Sequence, residues 1–74
     1  MFFYHVEGFR RYEGTFEGKP YGGYFLYCTH QDKDVEGLKT VEIKVKDKHG
    51  YHPRVGDDIT VIYGPRGLES VKAG

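Results

Sequence analysis

The amino-acid sequence predicts an all-β protein, a small five-stranded β-barrel, on three observations. Aromatic residues make up 16% of the chain, with seven Tyr, five Phe and no Trp, and such residues fit the pleated surface of a sheet. The 11 glycines interrupt the chain at short intervals, as expected for many turns. No long window shows the helical spacing of apolar residues. Short strands separated by turns are therefore the expected building units.

The size and charge of the chain limit its function. Its 74 residues suit one small domain over residues 1–74. Lys and Arg number 11 and so do Asp and Glu, so any contact with nucleic acid must rest on a local basic patch. No apolar run approaches the roughly 18 residues of a membrane span. A single cysteine, Cys28, without an apolar leader predicts a reducing, cytoplasmic setting.

The first two strands are predicted on either side of a corner rich in glycine and proline. Residues 2–16 form a long first strand, with Gly8 as a candidate bulge. Residues 18–21 are predicted as a tight corner, because Pro20 fixes its own φ and biases the preceding residue away from the helical region. Residues 24–30 then form the second strand, since they are mostly aromatic and β-branched.

Three further strands follow. The clearest covers residues 38–46, where alternation separates apolar from polar positions. The apolar positions are Val41, Ile43 and Val45, and the polar ones are Thr40, Glu42, Lys44 and Lys46. A fourth strand is predicted over residues 58–63, with Ile59, Val61 and Tyr63 pointing inward. A hairpin turn at residues 64–67 leads to a fifth strand over residues 68–72.

These strands predict a closed or nearly closed barrel, because closure removes the exposed edges of an open sheet. The choice lies between an OB-like barrel and an SH3-like one. A long first strand that bends at glycines can join both sheets of a barrel. That strand and the extended connector at residues 51–57 favour the OB-like architecture.

Exposed rings beside cations form the candidate binding surface. A barrel this small holds only about half of its rings inside, because interior positions alternate along each strand. The rings are Tyr4, Phe9, Tyr12, Phe16, Tyr21, Tyr24, Phe25, Tyr27, Tyr51 and Tyr63, and the nearby cations are Arg10, Arg11, Lys19, Lys44 and Lys46. Rings along a cationic groove bind single-stranded nucleic acid. Cross-strand packing of the rings explains the same composition without a ligand.

The charge pattern is compatible with such a groove. Acidic residues concentrate at Asp32, Asp34 and Glu36 and at Asp57 and Asp58, away from the lysines of the third strand. A net charge of zero can therefore conceal one basic face and an acidic rim, although a solvated strand face has the same pattern.

Metal binding and catalysis have little support. Cys28 with His30, and His49 with His52, lack the spacing of a zinc finger or knuckle. Ser70 is the only serine, and no nucleophile-elbow pattern surrounds it. We therefore expect no metal, no cofactor and no enzymatic activity.

Residues 11–62 resemble the small single-stranded-DNA-binding, helix-destabilising proteins of filamentous phages, which have an OB-like fold. The likeness rests on Arg11 followed by Gly18-Lys19-Pro20-Tyr21, on Leu26-Tyr27-Cys28, on Val41-Glu42-Ile43-Lys44-Val45, and on the spacing of Tyr51, Pro53, Gly56 and Thr60-Val61. The resemblance implies DNA contacts for Arg11, Lys19 and Tyr21, and a phage or other mobile element as the setting. Phe16 stands where that family has an arginine. The chain after Tyr63 is short for the C-terminal hairpin through which those proteins dimerise, which leaves a homodimer open.

A second stretch, residues 55–67, is similar to the Gly-Asp…Val…Gly…Gly pattern of KOW-type SH3-like barrels in ribosomal and transcription factors. That likeness implies RNA or protein contacts through the turn at residues 64–67.

The sequence thus predicts binding of single-stranded DNA, with RNA as the alternative nucleic acid, and with little sequence preference. Phe16, Tyr21 and Tyr27 are predicted to stack on bases, and Arg11, Lys19, Lys44 and Lys46 to contact phosphates. No membrane partner is expected. The alternative is a small interaction barrel that binds a protein partner by pairing an exposed edge strand.

Overall fold

The computed structural model describes residues 2–73, which form one antiparallel sheet of five strands. The strands are β1 (Phe2–Phe16), β2 (Lys19–Gln31), β3 (Leu38–Lys46), β4 (Asp58–Gly64) and β5 (Gly67–Ala73), in the spatial order β3-β2-β1-β4-β5. A 3-10 turn at Asp47–His49 follows β3. The prediction of an all-β chain with five strands is confirmed.

Strand β1 is the centre of the sheet and pairs with two neighbours. Its first residues, from Phe2 to His5, pair with β4, and the part from His5 to Phe16 pairs with β2. Between Val6 and Gly8 the register shifts by one residue, so Glu7 is a β-bulge. The bulge lies one residue before the predicted position. An extra residue reverses the alternation of side chains. Each residue after the bulge therefore points to the side of the sheet opposite to the one it would occupy if the strand were unbroken.

The turn between β1 and β2 is tighter than predicted. Phe16 pairs directly with Lys19, so only Glu17 and Gly18 form the loop. Both have positive φ, 51° and 76°, as a two-residue type I′ hairpin requires. The predicted corner over residues 18–21 is wrong, because Pro20 lies inside β2. β3 pairs with β2 only from Gly23 onward, so the outer edge of β2 at Pro20 has no neighbouring strand. The missing amide of Pro20 therefore costs no hydrogen bond there.

The core lies on one face of the sheet. Its buried residues are Val6, Leu26, Cys28, Ile43, Val45, Tyr51, Ile59, Val61 and Val71. The predicted alternation of β3 is confirmed, with Ile43 and Val45 buried and Val41 half-buried. Tyr63, which was predicted to point inward, is 45% exposed, because it lies near the end of β4, beyond the core, where its ring contacts Phe2. The other two inward positions of β4 are confirmed.

The connector between the 3-10 turn and β4 packs across this core. Tyr51 is buried and its hydroxyl donates a hydrogen bond to the Asp57 carboxylate at 2.8 Å. Burial and this hydrogen bond raise the Tyr51 pKa above its usual value. The amide of Val6 donates to the carbonyl of Asp57 at 2.8 Å, and the amide of Gly56 donates to the carbonyl of Val6 at 2.8 Å. The connector is thereby tied to β1.

Barrel closure is not confirmed. Within residues 2–73, β3 and β5 are the two edges of the sheet and do not pair with each other. Side chains from both edge strands nevertheless contribute to one core, so the sheet curls around its apolar face. No helix in the described part of the chain is long and apolar enough to cross a membrane.

Candidate functional site

One face of the β1–β2–β3 sheet collects rings and cations on the side opposite the core. The paired positions Arg10–Phe25, Tyr12–Gly23, Gly14–Tyr21 and Phe16–Lys19 alternate with those that face the core. In β3, Lys44 pairs with Phe25 and Lys46 with Gly23 on the same side. We call this surface the aromatic–basic face and define it by Arg10, Tyr12, Phe16, Lys19, Tyr21, Phe25, Tyr27, Lys44 and Lys46.

Three rings of the aromatic–basic face, those of Tyr21, Tyr12 and Phe25, form a continuous row across β1 and β2. The centroids of Tyr12 and Phe25 are 5.0 Å apart with the planes inclined by 45°, and those of Tyr12 and Tyr21 are 6.5 Å apart at 47°. These separations are within the usual range for interacting aromatic pairs. The row therefore presents several π-surfaces side by side.

Two cations lie directly over these rings. The Arg10 guanidinium carbon is 4.6 Å from the Phe25 centroid, and Lys44 Nζ is 5.1 Å from the Tyr12 centroid and 5.9 Å from that of Phe25. Arg10 Nε also donates to the Tyr27 hydroxyl at 3.4 Å. Cation–π contacts of this length orient a positive charge without neutralising it. Both cations remain available to an anion.

Glycines hold two of the rings close to the backbone. A Cβ on Gly14 would meet the Tyr21 ring, and a Cβ on Gly23 would meet the Tyr12 hydroxyl and the backbone carbonyl of Val45. Each ring therefore lies flat over the glycine opposite it in the neighbouring strand. The absence of a side chain at these two positions is what lets the rings pack along the sheet.

Three of the rings are well exposed. Phe16 is 70%, Tyr21 54% and Tyr27 39% exposed. An apolar ring as open as Phe16, next to Lys19 at the tip of the hairpin, offers a surface that the fold itself does not use. Tyr12 and Phe25 are half-buried and support the exposed rings.

The cations of the aromatic–basic face are unpaired in the part of the chain that the structure describes. Arg10, Lys19, Lys44 and Lys46 form no ion pair with a carboxylate. Glu42 is the acidic residue that β3 contributes to the same side. Four positive charges against one account for a basic face on a chain whose net charge is zero.

Two of the acidic residues that the sequence singled out, Asp32 and Asp58, lie toward the other end of the sheet. Asp32 directly follows β2 and contacts Lys39 at 3.8 Å, and Asp58 begins β4 beside His5. The His5 Nδ1 lies 2.7 Å from the Asp58 carboxylate, and this hydrogen bond raises the His5 pKa. Glu13 and Asp47 lie near the β1–β2 hairpin, but both are paired with Arg11 on the core side rather than with the cations of the aromatic–basic face.

Arg11 lies on the core side of the sheet, unlike its neighbour Arg10. Its Nη1 and Nη2 donate to the two carboxylate oxygens of Asp47 at 2.6 and 3.0 Å, and its Nε donates to Glu13 at 3.2 Å. The guanidinium passes over Gly22, where a Cβ would contact it at 2.6 Å. The hydrogen bonds to Asp47 raise the Arg11 pKa and lower that of Asp47. This arginine is already neutralised by two carboxylates.

An open cleft of about 960 Å³ lies where β3 ends beside the β1–β2 hairpin. Its lining includes Tyr12 and Tyr21, the lysines Lys44, Lys46 and Lys48, and the ion-paired Arg11, Glu13 and Asp47. The cleft therefore extends the aromatic–basic face toward the 3-10 turn.

The structure brings together six of the seven predicted binding residues. Phe16, Lys19, Tyr21, Tyr27, Lys44 and Lys46 share the aromatic–basic face, and Arg11 does not. The phosphate contact predicted for Arg11 is not part of the function proposed below, because its guanidinium is paired with Asp47 and Glu13 on the opposite side of the sheet. Arg10, Tyr12 and Phe25, which the sequence includes among the wider set of rings and cations, complete the face. The bulge that the sequence suggested at Gly8 is the feature that decides which arginine points outward, because a bulge before Arg10 reverses the side-chain alternation.

The other reactive side chains do not assemble into a second site. Within residues 2–73, no group of three or more His, Cys, Asp or Glu side chains is placed to hold a metal ion. Cys28 is buried in the core, and burial raises its pKa to about 11. A thiol with this pKa is a poor nucleophile near neutral pH.

No protein-family model, no curated protein and no solved structure gives a significant match to this chain. The aromatic–basic face is therefore the observation from which a function can be inferred.

Proposed function

We propose that this protein binds single-stranded nucleic acid, with DNA as the expected ligand, through the aromatic–basic face. Bases would stack on Tyr21, Tyr27 and Phe16, and phosphates would contact Arg10, Lys19, Lys44 and Lys46. Rings accept any base because every base has a π-face, and phosphate contacts carry no sequence information. We therefore expect little sequence preference.

The observation that supports this proposal is the shared orientation of rings and unpaired cations. Phe16 is 70% exposed beside Lys19, and Arg10, Lys44 and Lys46 lie on the same side of the sheet without carboxylate partners. The placement of Arg10 and Lys44 over rings brings positive charge next to stacking surfaces, which is the combination that single-stranded nucleic acid requires.

The architecture that we propose is an OB-like barrel with an open seam between β3 and β5, rather than an SH3-like barrel. A long β1 that pairs with both β2 and β4 supports it, and OB folds are partly open barrels that bind ligands on the face of strands 2 and 3. The proposed location is a reducing cytoplasm, where the protein would act on the DNA of a phage or other mobile element. The single buried cysteine is compatible with a reducing compartment.

The second candidate function is binding of a protein partner by β-strand addition. The unpaired edges at β3 and β5 favour it, since an open edge offers backbone groups to an extended peptide. Salt distinguishes the two functions, because phosphate contacts weaken steeply with salt and edge pairing does not.

Fluorescence anisotropy with a labelled oligo-dT tests the proposal. If the four cations each contact a phosphate, the slope of log K against log salt is about −2.8, from roughly −0.7 per contact on a single strand. Affinity then falls about fiftyfold between about 50 and 200 mM salt. Absence of binding at the lower salt would rule out the nucleic-acid function and favour the protein partner.

A stacking variant identifies the face. Tyr21→Ala is expected to weaken oligo-dT binding by about 1 to 3 kcal/mol, or about five- to 150-fold, if the ring stacks on a base. Tyr63→Ala is the matched control, because Tyr63 is also half-exposed but packs against Phe2, at the other end of β1. Equal losses in the two variants, or no loss for Tyr21→Ala in a folded protein, would contradict the assignment.

A further inference from the structure

The outer edge of β3 is long, regular and unpaired. Among the described residues, β3 pairs on one side with β2 and on the other with nothing. It runs for 9 residues, Leu38–Lys46, without glycine, proline or a shift of register. The free edge of β2 at the hairpin, by contrast, carries Pro20, which has no amide to offer. Natural proteins block exposed edges with proline, bulges or charged side chains, and β3 has only the charged side chains, at Lys39, Glu42, Lys44 and Lys46.

The backbone groups that point outward can be assigned. The amide of Lys46 donates to His49 Nδ1 at 3.0 Å, so it does not face β2. Because successive residues of an antiparallel strand alternate the direction of their backbone groups, Thr40, Glu42 and Lys44 also direct their amides and carbonyls to the outer edge. These groups are available for a further strand.

A second copy of β3 fits this edge in one register. A two-fold axis through Ile43 would place Glu42 opposite Lys44 of the other copy, twice, and Thr40 opposite Lys46. The axis moved by one residue would place Glu42 opposite Glu42, or Lys44 opposite Lys44, where like charges repel. On the core side, the centred register matches Val41 with Val45 and Ile43 with itself.

We propose that two copies of this chain associate through antiparallel pairing of their β3 edges, in the register centred on Ile43. Glu42 and Lys44 then exchange backbone hydrogen bonds and form two opposite-charge contacts across the interface. The result is a continuous ten-stranded sheet. The Lys46 amide, which is bonded to His49, marks one end of the new ladder in each copy.

The two-fold axis is perpendicular to the sheet, so both aromatic–basic faces lie on the same side. The dimer would therefore present one continuous surface made of the two aromatic–basic faces. At its centre, the negative charge of each Glu42 would be balanced by Lys44 of the other copy. The pairing itself does not depend on nucleic acid. One strand pair is a small interface of the size of transient complexes, so the dimer is expected to dissociate on dilution.

Sedimentation velocity without nucleic acid, over a wide range of protein concentration at low salt, tests the pairing. The unmodified chain is expected to shift from monomer to dimer as its concentration rises. Glu42→Lys converts both cross-strand contacts to like charge and should raise the dissociation constant about tenfold or more. The double variant Glu42→Lys with Lys44→Glu restores opposite charges in the same register and should restore the dimer.

A matched control is Glu36→Lys, which makes the same change of charge in the loop before β3 and should leave the dimer intact. Circular dichroism confirms that each variant is folded. A monomer at all concentrations overturns the proposal, as does a dimer that Glu42→Lys leaves unchanged or that the double variant does not rescue. A protein that dimerises as described and ignores oligo-dT would retain this proposal and lose the nucleic-acid function.

Discussion

The neighbouring arginines of β1 give opposite expectations for nucleic-acid binding. Arg10 lies on the aromatic–basic face, over Phe25 at 4.6 Å and without a carboxylate partner. Arg11 lies on the core side, held by both oxygens of Asp47. We therefore expect Arg10→Ala to weaken binding of oligo-dT and Arg11→Ala to leave the affinity of the folded protein almost unchanged.

The size of the Arg10 effect follows from counterion release. One phosphate contact on a single strand contributes about 0.7 to the slope of log K against log salt. Its removal should lower the affinity about eightfold at about 50 mM salt and about threefold at about 200 mM, with the slope about 0.7 shallower. A conservative Arg10→Lys variant keeps the charge and should retain most of the slope.

The assay is fluorescence anisotropy of labelled oligo-dT at several salt concentrations, with thermal unfolding of each variant measured in parallel. Arg11→Ala should lower the thermal midpoint, because it breaks the bidentate pair that holds the 3-10 turn to β1. Its affinity should stay within about twofold of the unmodified chain at a temperature where it is folded.

Two results would refute this reasoning. The first is a larger loss of affinity, or a larger change of salt slope, for Arg11→Ala than for Arg10→Ala in folded proteins. That result would mean that the bulge at Glu7 does not orient β1 as described. The second is an Arg10→Ala variant that binds like the unmodified chain, which would remove Arg10 from the interface.

Two further predictions concern stability. Gly23→Ala should lower the free energy of unfolding by about 3 kcal/mol or more, because its Cβ would meet the backbone carbonyl of Val45. Gly8→Ala, whose Cβ would have no atom within 4 Å, should change the free energy of unfolding by less than about 1 kcal/mol. Urea unfolding of the two variants measures both values. The difference in thermal midpoint between the unmodified chain and Arg11→Ala should shrink in acid. Since the Asp47 pKa is lowered by Arg11, the stabilisation is present above the ordinary aspartate pKa and is lost as pH falls through the lowered value.

Much of the fold follows from local sequence features. Alternation in β3 identified its buried face, because a half-buried strand needs apolar residues at every second position. The turn at residues 64–67 was predicted correctly for a similarly local reason. Proline restricts, and glycine widens, the range of backbone angles that a few residues can adopt. The start of β2 was not predicted correctly. Proline is usually excluded from strands, and Pro20 fits in β2 only because the edge of the strand is unpaired at that position.

The sequence by itself determined the number of strands, their approximate positions and most members of the aromatic–basic face. Only the tertiary structure decided which arginine belongs to that face. The physical reason is the bulge at Glu7: one extra residue reverses the side-chain alternation, so that Arg10 faces outward and Arg11 turns to Asp47. Whether an edge strand finds a partner also depends on contacts between residues far apart in the chain. Local patterns contain no information about such contacts, and the open edges of β3 and β5 became visible only in the assembled sheet.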